Sequence, residues 1–300
     1  MSIKISKIYR ISDEYKTYSS NFQVGDSLIE AQLIEKVPIS KYSSHKGLRR
    51  LPKATQNAIV SAISCIGDSL NSEEKEKLGV FVGTSLSYVE HGLQFMSEAY
   101  RTSPRLVSPL MFPNTVLNSI SGWISIVLGS NSINTTINTG QNSGIDTIKV
   151  ASEFLNFGII DKALVVITEE LSEAIIESDL CSSESYGEET IALLLTLNSE
   201  DESEYEITEI YSRYLTEDSY RTKLEELNAD SKKTDFLFIN DIDLESKKEK
   251  SLRNLLSCTA INYMYEAIKN KKTSQLLISE RSGSGVLSYL KLGRITDEYF

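Results

Sequence analysis

The sequence predicts an α/β protein. Short apolar runs such as residues 78–83 and 163–168 are typical of strands that are buried on both faces. Between residues 133 and 168, a strand, a tight turn, a helix and a second strand follow one another. This is the order of a crossover unit, so parallel strand pairing is expected there.

The individual elements follow from the spacing of the apolar residues. Period-two alternation or continuous apolar runs predict strands in the first two thirds of the chain at residues 3–11, 78–83, 133–138, 163–168 and 190–197. Apolar residues at helical spacing predict helices at residues 51–70, 119–128 and 145–157. Gly129 and Gly158 follow the last two helices, where a left-handed capping residue belongs.

The remaining third of the chain repeats this alternation in a shorter form. Strands are predicted at residues 207–214, 235–239, 275–279 and 286–292, and helical segments at residues 223–228 and 245–270. The acidic stretch at residues 198–206 is typical of a surface connector. The sequence therefore predicts two parts, residues 1–198 and 199–300, related by a degraded internal duplication.

The composition disfavours several classes of function. Of the 300 residues 40% are hydrophobic, enough for a large core, and a net charge of −11 disfavours nucleic acid and anionic membranes as partners. The first residues have alternating charge and no long apolar run, so we expect a cytoplasmic protein without a membrane span. The spacing of Cys65, Cys181 and Cys258 suits reduced thiols, and no acidic or cysteine cluster predicts a metal site.

Several separated motifs resemble those of the β-ketoacyl synthase family and occur in the family's order. The most specific are residues 112–118 (FPNTVLN) and the strand, turn and helix around residues 138–145. Residues 48–50 (LRR), 83–85 (GTS) and 187–189 (GEE) also fall where relatives have similar residues. This resemblance implies a thiolase-like fold, with two fused βαβ-type halves in a layered α-β-α-β-α arrangement. Because relatives are longer, the second half is expected to be abridged.

The residues that this family uses for catalysis are missing. The family's nucleophile is a cysteine at the start of a buried helix, where the helix dipole stabilises a thiolate. The resemblance places Gln141 at that position, and a carboxamide cannot accept an acyl group from a thioester. The family also uses two histidines after the cysteine, whereas no histidine follows His91 here. Asn240 stands where the first would be, and it cannot take up a proton near neutral pH.

The sequence therefore predicts no catalytic residue, only the degenerate positions Gln141 and Asn240. Gln141 is either a polar cap in a collapsed pocket or a mimic of an acylated cysteine. Cys181 lies in a polar loop and is interpreted as a surface thiol rather than a displaced nucleophile, while Cys65 and Cys258 are interpreted as small core residues.

The resemblance also implies surfaces for partners. Met111 and Phe112 are interpreted most simply as core or interface residues. In relatives this segment reaches the dimer interface beside the acyl tunnel, so the alternative is a gating role at the tunnel. In similar ketosynthases the strand at residues 133–138 pairs across the dimer axis, so Asn134 and Thr136 are expected at the tunnel or the interface.

A basic cluster lies just before the first long predicted helix. Its members are Lys46, Arg49, Arg50 and Lys53. They are either solvated charges or, as in similar ketosynthases, a docking surface for an acidic acyl carrier protein.

Together these observations predict a non-catalytic subunit, comparable to a chain length factor, that pairs with an active ketosynthase in polyketide or fatty-acid biosynthesis. One alternative is a malonyl-carrier decarboxylase or repurposed acyltransferase, and another is a homodimeric acyl-binding scaffold. The expected partners are an active ketosynthase or a second copy of this chain, together with an acyl carrier protein. No cofactor is expected.

Overall fold

A computed structural model describes residues 2–178, 185–197, 203–231, 236–241, 253–270, 274–282 and 284–295. Its strands are β1 Ile3–Arg10, β2 Thr17–Val24, β3 Ser27–Ile34, β4 Gly79–Gly83, β5 Asn134–Ile137, β6 Lys162–Glu169, β7 Ser185–Gly187, β8 Glu189–Leu197, β9 Tyr205–Tyr214, β10 Phe236–Asp241, β11 Gln275–Arg281 and β12 Val286–Arg294. Its α-helices are α1 Lys53–Ile66, α2 Ser72–Glu76, α3 Val89–Arg101, α4 Ser119–Leu128, α5 Ser143–Asn156, α6 Glu173–Ser178, α7 Glu217–Ser231 and α8 Thr259–Lys269.

The main sheet has the strand order β10-β11-β12-β9-β1-β8-β6-β4-β5, and β2, β3 and β7 form a separate small sheet. The two halves of the main sheet meet at β1. Residues Ile3 to Ile5 of β1 pair with β9, whereas β1 pairs with β8 along most of its length.

The same pairing pattern occurs in both halves. In the first half, β1 is antiparallel to β8, β8 is antiparallel to β6, and β6 is parallel to β4. In the second half, β9 is antiparallel to β12, β12 is antiparallel to β11, and β11 is parallel to β10. This confirms the predicted duplication. The second half is also abridged, since none of its described elements corresponds to α4 and β5.

The helices complete the predicted α-β-α-β-α layers. The two helices α1 and α4 pack on the outer face of the first half, and α7 packs on the outer face of the second. Between the halves lie α5 and α8, whose apolar residues share one core with both. In β6, Val165 and Ile167 face this central core while Leu164 and Val166 face α1, which explains the continuous apolar run.

The structure corrects some predicted boundaries. Helix α5 begins at Ser143 and α7 spans Glu217–Ser231, so both are longer than predicted. The helical segment predicted at residues 245–270 is wrong for residues 253–258, because α8 begins only at Thr259, after a 3₁₀ turn. The hairpin of β2 and β3 and the helix α3 were not predicted. The domain boundary predicted between residues 198 and 199 lies outside the described residues.

Candidate functional site

The position that resembles the family's nucleophile lies on a tightly bonded turn. Gln141 is half-buried and precedes Asn142, the capping residue of α5. Within the turn, the Ser143 hydroxyl donates to the Gly140 carbonyl at 2.5 Å, and the Thr139 amide donates to the Ser143 hydroxyl at 2.9 Å. These bonds fix the backbone that presents Gln141 at the amino end of the buried helix.

Asn142 connects this turn to the second half of the protein. Its side chain is fully buried, and Nδ2 donates to the Glu280 carbonyl at 3.1 Å and to the Ser288 hydroxyl at 2.8 Å. Glu280 of β11 is the backbone partner of Asn240 in the parallel strand β10. The turn that carries Gln141 is therefore held against the strand that neighbours Asn240.

The amino ends of α5 and α8 also meet here. A Cβ atom at Gly144, in the first turn of α5, would lie 2.4 Å from the Ser257 carbonyl oxygen and 2.8 Å from a side-chain carbon of Ile261. Only glycine allows this approach of the two helices, because the Ser257 contact is with backbone.

A buried carboxyl group occupies the space beside this contact. The side chain of Glu169, at the end of β6, has no exposed surface and accepts hydrogen bonds from six groups. The donors come from the loop after β4 and from the turn before α8: the amides of Ser85 and Leu86 and the hydroxyls of Thr84, Ser85, Ser87 and Ser257. Burial raises the pKa of Glu169 above its ordinary value, although these donors act in the opposite direction. Glu169 thus binds the two halves together from the inside.

The described thiols are unsuited to nucleophilic chemistry. Cys65 and Cys258 are buried, as predicted for core residues. Burial raises the pKa of Cys65 to about 12, and burial next to Glu169, Glu189 and Glu280 raises that of Cys258 well above the ordinary range. Cys181 lies outside the described residues. Among the described residues, the centre of the molecule therefore offers amides, hydroxyls and enclosed carboxyl groups, and burial keeps its two thiols protonated and unreactive towards an acyl group.

Glu189, directly opposite Glu169 on β8, should make the stability depend on pH. It is buried, accepts a hydrogen bond of 2.6 Å from the Ser12 hydroxyl, and has a pKa raised by burial from 4.5 to about 7. In this window the folded chain keeps a proton that the unfolded chain releases, so stability is lost as the pH rises from 4.5 through 7. Glu189→Gln should remove this loss. Its effect on the free energy of unfolding should therefore be more favourable at pH 8 than at pH 4 by about 3 kcal/mol. Urea unfolding of both forms at the two pH values measures the difference, and an equal effect at both would contradict it.

The predicted interface residues lie around an unpaired sheet edge. Within the described residues β5 pairs only with β4. The amides of Val80 and Thr84 donate to the carbonyls of Ile133 and Ile137, so the backbone groups of the odd-numbered residues of β5 point towards β4. The backbone groups of Asn134 and Thr136 therefore point away from the sheet. Their side chains bond to α4, through Asn118 and Ser121.

Exposed apolar side chains lie on α3, the 3₁₀ segment at Pro109–Thr115 and α4, which contact one another in a row that ends at β5. Met111 is half-buried and Phe112 is 57% exposed, both on the 3₁₀ segment. The other exposed members are Leu93, Met96, Tyr100, Leu106, Leu110, Val116 and Ile126. Residues 106–145, 40 in a row, include no Asp, Glu, Lys, Arg or His, in a chain that is 24% charged. Such an uncharged and apolar surface is typical of the core of an interface.

The basic cluster separates into two parts. Lys46, Arg49 and Arg50 are exposed and line a concave surface between two 3₁₀ turns. Lys53 instead pairs with the buried Glu188, with Nζ 2.5 Å from the carboxylate. Its charge thus stabilises the fold, which leaves three cations at the surface.

The comparisons agree with this architecture. Residues 43–178 match the family model for the N-terminal domain of β-ketoacyl synthase. A curated relative, 3-oxoacyl-[acyl-carrier-protein] synthase 2 of Vibrio cholerae serotype O1, is 31% identical over 137 residues, which are 44% of this chain and 32% of the relative. The match thus spans about a third of that relative's length.

Two solved structures share the fold over nearly the whole chain. The ishigamide ketosynthase/chain length factor has a TM-score of 0.78 at 15% identity, covering 99% of this chain and 100% of that one. A type II PKS acyl-carrier protein in complex with its ketosynthase has a TM-score of 0.76 at 14% identity, covering 98% and 99%. The chain therefore has the thiolase-like fold of the ketosynthases, and its residues 43–178 are similar to the N-terminal domain of β-ketoacyl synthase. No described helix has the length and apolar character needed to cross a membrane.

Proposed function

We propose that the chain is a non-condensing, ketosynthase-like subunit, comparable to a chain length factor, that pairs with an active ketosynthase in polyketide or fatty-acid biosynthesis. The observation that carries this proposal is Gln141 at the amino end of α5, the position that resembles that of the family's nucleophile. The two described cysteines are enclosed, and the last histidine of the chain is His91. An active ketosynthase would supply the cysteine and histidines that this site lacks.

The unpaired edge of β5 supports association. Its outward backbone groups can add the sheet of a second subunit, and the surrounding apolar side chains would be buried by the same contact. One structurally similar protein is described as a ketosynthase/chain length factor, which agrees with the association of a chain of this fold with a ketosynthase.

The exposed residues Lys46, Arg49 and Arg50 support a second contact, with an acidic acyl carrier protein. A group of cations in a chain of net charge −11 would attract such a partner locally. The ketosynthase structure that contains an acyl-carrier protein agrees with a partner of this kind.

Co-expression with a cognate ketosynthase that has its cysteine and both histidines tests the proposal. We expect a stable complex by size-exclusion chromatography with light scattering, and no acyl adduct on this chain by intact-mass spectrometry. Turnover of a malonyl thioester by the isolated chain would instead support the decarboxylase. A homodimer that ignores the ketosynthase would support the scaffold.

Restoring the nucleophile alone should not restore condensation. We expect Gln141→Cys to yield no chain-extended thioester, because the family's two later histidines have no counterpart in this sequence. Product analysis with an acyl and a malonyl carrier measures this, and Gln141→Ser controls for a small polar residue in the turn. A chain-extended product formed by the isolated Gln141→Cys protein would contradict the assigned role.

A further inference from the structure

Helix α3 is anchored through its first turn. Val89 packs against an apolar cluster that includes Leu171 and Ile175, and His91 Nε2 lies 2.7 Å from Glu170 Oε1. No residue of α3 is buried. Further along the helix, the ring of Phe95 contacts that of Phe112 at a centroid distance of 5.9 Å. The 89–115 segment, α3 together with the 3₁₀ segment after it, is therefore one unit, which is held by the first turn of α3 at one end and contacts α4 at the other.

Glu170 is a fixed anchor for His91. It is only 6% exposed, and its second oxygen accepts the Ala54 amide at 2.6 Å in the first turn of α1. The positive end of the α1 dipole favours a carboxylate there. Burial disfavours the protonated imidazole of His91, but the hydrogen bond and the charge of Glu170 outweigh burial and raise its pKa above 6.5.

Few other charges act on His91. Glu90 and Gln94, on its own helix, also favour the protonated form. Of the other described residues that line the small cavity beside it, from α1, α4, the loop after β4 and the 3₁₀ segment, none is charged, and Tyr88 is the single phenol. Burial apart, Glu170 therefore has the largest effect on the pKa of His91.

We propose that His91 and Glu170 form a protonation-dependent latch that holds the 89–115 segment in the orientation required for partner binding. The inference rests on the proposed function, because this segment carries six of the eight exposed apolar side chains described above for the interface, Phe112 among them. The ion pair is fully present below pH 6.5 and is replaced by a weaker neutral hydrogen bond as the pH rises through the raised pKa of His91. Association should accordingly weaken from pH 6.0 to pH 8.5.

Limited trypsin digestion of the isolated chain tests the latch without any partner. Arg101 and Arg105 are exposed cleavage sites in the 89–115 segment. At pH 6.0, His91→Gln should speed cleavage at these two sites by about fivefold relative to the wild type, the factor for one modest ion pair. At pH 8.5 the ratio should approach one. Comparing both proteins at each pH removes the pH dependence of trypsin and of groups such as Glu189. His45→Gln, the same change at the exposed histidine, should leave the ratio at one.

The dissociation constant of the complex then links the latch to association. From pH 6.0 to 8.5, we expect the dissociation constant of the wild type to rise about fivefold more than that of His91→Gln or Glu170→Gln. In both variants the dissociation constant should depend less on pH. His91→Lys keeps a cation at both pH values, so it should also reduce the pH dependence of the dissociation constant.

Equal cleavage of wild type and His91→Gln at pH 6.0 would overturn the latch. A chain that shows the cleavage difference yet binds no ketosynthase would overturn the proposed function and the link to association, but not the latch itself.

Discussion

Replacing Phe112 by Asp should dissociate the complex. Phe112 is 57% exposed in the single chain and lies in the uncharged stretch of residues 106–145, so a partner would cover it with apolar surface. A carboxylate buried there without a counter-charge should raise the dissociation constant by about a thousandfold. Sedimentation equilibrium with the cognate ketosynthase measures this effect. Lys149→Asp, the same acidic group placed on α5 away from the edge, should change the constant little.

Thr136→Pro tests the same contact through the backbone. The Thr136 amide points away from β4, so proline should leave the β4 pairing intact while removing a donor from the free edge. Thr136→Val loses only the hydroxyl bond to Ser121 and is the matched control. If Phe112→Asp and Thr136→Pro both assemble like the wild type, the partner does not use this edge.

Replacing Glu169 by Ala should cause a large loss of stability, lowering the free energy of unfolding by about 4 kcal/mol. The change leaves a void and strips the acceptor from six buried or half-buried donors, two of them backbone amides. Glu169→Gln keeps the volume and one acceptor oxygen, so it should cost less. Urea denaturation measures both changes, and Glu177→Ala, at an exposed glutamate of α6, is the control. A loss below about 1 kcal/mol for Glu169→Ala would show that the cluster contributes little.

Much of the fold could be predicted because its strands and helices bury continuous or periodic apolar faces. The run from α4 to β6 is an example, since each of these elements packs against a core on a defined side. The hairpin of β2 and β3 was missed although Gly25, with φ of +57°, supplies the turn, because β2 buries none of its residues and has a weak apolar pattern. Helix α3 was also missed, although Val89, Leu93, Met96 and Tyr100 recur at helical spacing; none of its residues is buried.

The candidate site was predictable only in part. Gln141 lies next to an easily recognised helix start, whereas Glu169 and Glu189 look like solvated acids in the sequence. A signal for both existed. Continuing the period-two alternation of Val165 and Ile167 places Glu169 on the inward face of β6, and that of Ile191 and Leu193 places Glu189 on the inward face of β8. The pairing of Lys53 with Glu188, 135 residues apart, depends on the tertiary fold and has no local signal.

The position of β1 has a kinetic consequence during synthesis. Its main partner, β8, begins at Glu189, so β1 leaves the ribosome well before the strand that it pairs with. At ordinary translation rates of about 5–20 residues per second, β1 waits roughly ten to forty seconds with an open edge. The parallel pair β4 and β6 is complete earlier and can form a scaffold first. We therefore expect the nascent chain to need protection of Ile3, Ile5 and Ile8, and slow synthesis before residue 189 to favour aggregation over folding.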